Sequence, residues 1–130
     1  NTSRYLSISD GSFSNRVSIF FSDTSNIIGS RIVVGGSSIF LNASSQTQNN
    51  NNKIALKWKL NDYKLYINGV QVAANVSAGT FSASTLSEIS FNDGGSGVAY
   101  MYGKIRDIRV YNTKEMTDSE VDILLTKITS

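Results

Sequence analysis

Ten carboxylates, and neither a histidine nor a cysteine, set the chemistry open to this 130-residue chain. The acids are Asp10, Asp23, Asp62, Glu88, Asp93, Asp107, Glu115, Asp118, Glu120 and Asp122. Without histidine there is no Ser-His-Asp triad and no ordinary general base near neutral pH. Without cysteine there is no disulfide, no thiolate zinc site and no thiol nucleophile. A metal would have to be hard and oxygen-liganded, which puts calcium first. The densest acidic group, residues 115–122, reads as the negative first turns of a helix, where carboxylates complement the dipole. The sequence is therefore read as that of a protein that is not an enzyme.

The residues that can bind are amides, hydroxyls and rings. Asn92 and Asp93 stand beside Gly94 and Gly95 and offer side-chain oxygens to a sugar or to calcium, with Asp93 the metal candidate. The same four residues also make a plain hairpin turn, since Asn, Asp and Gly dominate turns for backbone reasons. Tyr100 and Tyr102 share one strand phase, and Tyr66 lies out of phase with Leu65 and Ile67, which predicts an exposed ring. Trp58 is the sole tryptophan. Its phase matches Ile54, Leu56 and Leu60, so core packing is expected over a sugar platform. Residues 43–52 form an amide-rich loop with no apolar area to bury.

Period-two runs dominate the elements that must position these groups. Strands are expected at 5–9, 17–21, 27–34, 38–41, 53–60, 63–67, 70–74 and 86–91, with turn residues between them. In the 53–60 strand the Ile54 face points to the core, and Lys53, Ala55, Lys57 and Lys59 face solvent. Asn61-Asp62 is expected to turn that strand, and Asn68-Gly69 signals a type I′ hairpin. Residues 98–111 read as one long strand with a bulge near Arg106-Asp107, because Ile105 and Ile108 are three apart. Thr117 and Glu120 make a capping box. They start a helix to about Lys127 with Val121, Leu124, Leu125 and Ile128 on one stripe, expected across one end of the sandwich. The fold class is all-β: a two-sheet antiparallel jelly-roll sandwich with one short C-terminal helix.

Ser, Thr and Asn together supply about a third of the residues, well above ordinary usage, while charged residues are 17%. A net charge of +2 argues against nucleic acid as a partner, and no stretch is long and apolar enough for membrane insertion. The N-x-S/T sequons at Asn1, Asn42 and Asn75 follow from the composition. The length predicts one domain over 1–130. The chain begins with Asn and reads as a C-terminal piece of a longer protein.

Two segments carry a family resemblance. KIALKWKLNDYKLYINGVQVA at 53–73 resembles the strand, turn and "LYVNG" hairpin of LamG-like domains of the concanavalin A-like lectin/glucanase class. YGKIRDIRVYN at 102–112, followed by MTDSE at 116–120, resembles that family's "GxIDDVRIYNRALSDAE" ending. Arg106 stands where the family often has an acidic residue, and the linker before Met116 is one residue longer. Laminarinase-like relatives use an E-x-D-x-E cluster on one strand, and no strand expected here carries one. The resemblance implies a non-catalytic module that binds a glycan or surface. With the Ser/Thr/Asn-rich, Cys-free composition, it fits a phage tail fibre or other adhesin, extracellular or on a virion, displayed as a homo-oligomer such as a trimer. The alternative is a structural domain that caps or oligomerises a fibre without a ligand.

Overall fold

The computed structural model describes residues 3–24 and 26–130. Asn1, with its sequon, and Ser25, in the turn expected at 22–26, lie outside the described residues. Eight strands and one helix form among the described residues: β1 Arg4–Ser9, β2 Arg16–Phe21, β3 Ile28–Val34, β4 Ser37–Ala43, β5 Ile54–Lys59, β6 Asp62–Ile67, β7 Val70–Asn75, β8 Glu88–Ser90 and α1 Asp118–Thr129. One sheet has the order β4-β3-β2-β1-β8 and the other β5-β6-β7. Every pairing is antiparallel. The result is the expected two-sheet sandwich of jelly-roll type with one short C-terminal helix.

Strand alternation fills the space between the sheets. Val17 and Phe21 of β2 point inward, as do Ile28 and Ile32 of β3 and Leu41 of β4. They meet Tyr63, Leu65 and Ile67 of β6. Tyr63 is fully buried, and its hydroxyl shares a hydrogen bond with Ser30 across the core. Burial pushes the Tyr63 pKa up, with the Ser30 bond opposing it in part. A buried ring with a paired hydroxyl adds both apolar area and specificity to the core.

The turns follow backbone demands. Asn68 and Gly69 both adopt positive φ, 51° and 87°, as a type I′ hairpin requires. The β5–β6 turn falls one residue earlier than expected. Lys59 pairs with Asp62, so Leu60-Asn61 is the loop, and Asn61 takes φ 58°. Leu60 is thereby exposed instead of joining the Ile54 face.

Three further expectations are corrected. The helix does not cap an end of the sandwich. It lies on the outer face of the three-stranded sheet as a third layer, with Val121 and Leu125 packed on Ala55 and Tyr66 and with Met116 at the edge. Lys57 is consequently buried, not exposed, because the helix covers the face of β5 that solvent was expected to cover. The Thr117 capping box is present, with Thr117 Oγ1 accepting from the Glu120 N–H at 3.2 Å. Residues 98–111 form no strand, and β8 is confined to Glu88–Ser90. Ala99 and Gly103 take positive φ, 56° and 152°, and break the extended run. The three-residue spacing of Ile105 and Ile108 cannot place both on one pleated face without a bulge, which the chain does not form.

Candidate functional site

The face of the five-stranded sheet that points away from the core gathers aromatic, guanidinium and amide groups. On β2 the outward residues are Arg16, Ser18 and Phe20, each out of phase with Val17 and Phe21. The Tyr5 and Phe20 rings lie 5.3 Å apart, and Phe20 meets Phe40 edge-on at 6.2 Å. These spacings suit aromatic pairs. Gly29 makes the row sterically feasible: a Cβ there would sit 2.5 Å from Phe20 Cζ and 2.9 Å from the Leu41 carbonyl oxygen. Ser38, Phe40 and Asn42 share this face of β4. The Arg31 guanidinium stacks 4.8 Å from the Phe40 ring centre, and its Nη2 donates to Ser38 Oγ at 2.8 Å. Phe40 remains 49% exposed, so its free face is open to a ligand.

The loop at 92–98 is seated on the same face. Ser7 Oγ donates to the Asn92 carbonyl at 2.8 Å, and Ser9 Oγ to the Gly94 carbonyl at 2.9 Å. Arg16 donates to the Asp93 carbonyl and stacks 4.6 Å from the Phe13 ring centre. The side chains of Asn92 and Asp93 are spent on their own loop. Asn92 Oδ1 accepts from the Gly94 N–H at 2.9 Å. Asp93 accepts from the N–H groups of Gly95 and Ser96 and from the Ser96 hydroxyl. Burial works against the Asp93 charge, but these bonds outweigh it and hold its pKa below the usual carboxylate range. Tyr100 and Tyr102 follow the loop and are exposed. Tyr5 N–H bonds the Ala99 carbonyl, and Arg4 holds the Tyr102 carbonyl, so this segment runs beside β1.

Tyr66 belongs elsewhere. Its ring is buried under α1, contrary to the exposure expected from its phase, because the helix packs on that face. Its hydroxyl donates to Asp122 at 3.0 Å. Burial first, and Asp122 second, push its pKa up to about 12. Asp122 also accepts from Lys57 at 3.1 Å and Lys64 at 2.9 Å, while Asp62 sits 2.5 Å from Lys57. Asp62 and Asp122 are thus two carboxylates gathered round one buried ammonium. Burial raises the Asp122 pKa in part, but the bonds from Lys64, Lys57 and Tyr66 outweigh it and lower it overall. A group so held is poorly suited to donate a proton as a hydrolytic acid must.

Among the described residues no group of three Asp or Glu side chains is placed to hold a metal ion. The Asp93 carboxylate accepts three hydrogen bonds within its own loop, and Asn92 turns its oxygen to Gly94. The structure brings Asn92, Asp93, Tyr100 and Tyr102 to one side of β1 and sets Tyr66 on the other sheet. Sequence reasoning missed Tyr5, Phe20, Arg31 and Phe40. The phase of Ser38-Phe40-Asn42, opposite to Ile39 and Leu41, was the signal that marks them.

The family profile described as concanavalin A-like lectin/glucanases superfamily matches residues 1–122. The chain belongs to that superfamily. No curated protein matches the sequence. Among solved structures, the chain is similar to an S-layer domain-containing protein (residues 221–444) from Clostridium thermocellum ATCC 27405. Identity is 18% and the TM-score 0.37, over 95% of this chain and 63% of that one. The chain thus spans less than two thirds of that structure. No helix of the described residues is long and apolar enough to cross a membrane.

Proposed function

We propose that this superfamily member is a non-catalytic module that binds extracellular carbohydrate and so attaches a larger protein to a surface. The observation that carries the reading is the open Phe40 ring, held by Arg31 and flanked by Ser38 and Asn42 on one flat strand face. Sugar C–H groups pack against such a ring, while guanidinium, hydroxyl and amide groups bond the sugar hydroxyls. Tyr100 and Tyr102, exposed beside β1, offer further rings toward the other edge of the sheet, and Asn92 and Asp93 act by shaping the loop between. The acids favour the same reading, since Asp62 and Asp122 are locked to lysines under the helix. Binding per site is expected to be weak, so a displayed oligomer gains by avidity. A phage tail fibre or other adhesin, on a virion or cell exterior, is the setting that this Ser/Thr/Asn-rich composition suits.

A second reading has its own observation. Ile105, Ile108, Val110 and Tyr111 are all exposed along one unpaired segment. Such a run serves subunit contact in a structural, oligomer-forming domain. A glycan array on wild type and Phe40→Ala, with molecular size measured in parallel, separates the two. The binding reading expects capture of at least one glycan on the array that Phe40→Ala reduces at least tenfold, without loss of thermal stability. A stable oligomer that captures no glycan would overturn it in favour of the structural role.

A further inference from the structure

The cleft beside Trp58 is lined by hydroxyls and rings and by no charged side chain. Trp58 is the last inward residue of β5, next to the turn at Leu60-Asn61. It packs on the core but is only half-buried. Across from it runs the segment 80–86, and between them lies a shallow, solvent-open depression of about 310 Å³. That volume is at the lower end of small-molecule sites, room for one sugar ring laid against the indole.

The walls of the cleft are anchored from behind. Phe81 and Leu86 pack against the core and fix both ends of the segment. The Thr85 N–H closes a turn onto the Ser82 carbonyl at 3.3 Å. Ser84 takes φ 64°, a left-handed conformation that a non-glycine residue adopts only at a cost in strain. Thr80, Ser82, Ser84 and Thr85 of this turn line the depression. Elsewhere in the fold buried hydroxyls are committed: Ser7, Ser9, Ser30 and Thr129 each bond a backbone carbonyl. The hydroxyls of Thr80, Ser82, Ser84 and Thr85 are not buried, and none of them bonds a protein group among the described residues.

We propose that this cleft is a second carbohydrate site, distinct from the Phe40 face, and that it takes a neutral hexose ring. The proposal rests on the binding-module reading. The indole would lie against the apolar face of the sugar, and the turn hydroxyls would bond its hydroxyls. With no cation in the lining, a carboxylated sugar would lose its hydration without a partner, so sialic and uronic acids are disfavoured.

Because Trp58 is the only tryptophan and lines this depression, its fluorescence reports on it without interference from another indole. The chain would be titrated with cellotriose, maltotriose, chitotriose and sialyllactose, with calorimetry run alongside. A neutral trisaccharide is expected to shift the Trp58 emission and to reduce its quenching by acrylamide at least twofold, with sialyllactose inert. Phe40→Ala should keep that response, and Ser82→Ala/Thr85→Ala, on an exposed turn, should weaken it about tenfold, the effect of two modest hydrogen bonds. Calorimetric binding that leaves the Trp58 emission unchanged, or a response lost in Phe40→Ala, would overturn the cleft while leaving the module reading intact. Absence of binding by every glycan on the array and every saccharide here would overturn both.

Discussion

Lys57 Nζ donates to Asp122 Oδ1 across 3.1 Å and so joins β5 to the helix. The lysine side chain is 6% exposed and the aspartate 31%. A β-sandwich has two layers, and this pair fastens a third. Lys64 and Tyr66 converge on the same carboxylate from β6, so the helix is held by charge as well as by Val121 and Leu125.

Asp122→Ala should destabilise the domain by roughly 2–3 kcal/mol. Breaking a buried pair usually costs about 3–5 kcal/mol, and here Asp62 remains to hold Lys57. The loss should appear in chemical denaturation, with amide exchange faster in α1 than in the sandwich. A variant as stable as wild type would show that apolar packing alone seats the helix.

The same groups set a pH window. The Asp122 pKa is lowered on folding, so its contribution is full above the ordinary aspartate range. It is lost as pH falls below about 4 through the folded value. Burial works against the Lys57 charge, but Asp62 and Asp122 together outweigh it and raise the pKa, and that of Lys64 is raised first by its bond to Asp122. The lysine contributions are present below about pH 10.4 and are lost as pH rises through the raised values. Tyr66, held to about 12, acts with them, since its neutral form is favoured in the fold. Melting temperature should be flat from about pH 5 to 9 and fall on both sides. In Asp122→Ala both flanks should flatten.

How much of this was legible in the sequence depends on what each signal encodes. The alternation of β2 and β3, the Asn68-Gly69 turn and the Thr117 capping box are local, and each forms where the pattern put it. Lys57 and Tyr66 were misplaced for one reason. Alternation assigns a residue to a face but does not reveal what covers that face, and here the cover comes from Asp122's helix, 65 residues from Lys57 and 56 from Tyr66. Phe40 was hidden by the converse. A ring in an otherwise polar phase reads as an isolated exposed residue until Gly29, Phe20 and Arg31 are seen beside it. The 98–111 segment had strand-forming residues but a spacing that defeats a single pleated face.

Asp93→Ala should loosen the 92–98 loop. The N–H groups of Gly95 and Ser96 and the Ser96 hydroxyl would lose their acceptor, while Arg16 keeps the residue 93 carbonyl. A stability loss of about 1–3 kcal/mol is expected for donors left short of partners at a half-buried site. Millimolar calcium should leave the melting temperature of wild type unchanged, because the carboxylate is already engaged. A calcium-dependent rise that disappears in Asp93→Ala would show instead that the loop opens to take the ion.

Gly29→Ala tests whether the aromatic row is a built surface. The glycine φ is not in the left-handed region, so only space is at issue. The new methyl would lie 2.5 Å from Phe20 Cζ, which can swing away, and 2.9 Å from the Leu41 carbonyl oxygen, which belongs to the paired β4 backbone and cannot. Overpacking of this kind typically costs about 1–3 kcal/mol. Displacing Phe20 also removes the edge that Phe40 rests on, so glycan affinity should fall together with stability. Phe40→Ala, at an exposed ring, should lower affinity alone. If Gly29→Ala loses stability yet binds the array glycans as wild type does, Phe40 works without the row behind it, and the contact surface narrows to Ser38, Phe40, Asn42 and Arg31.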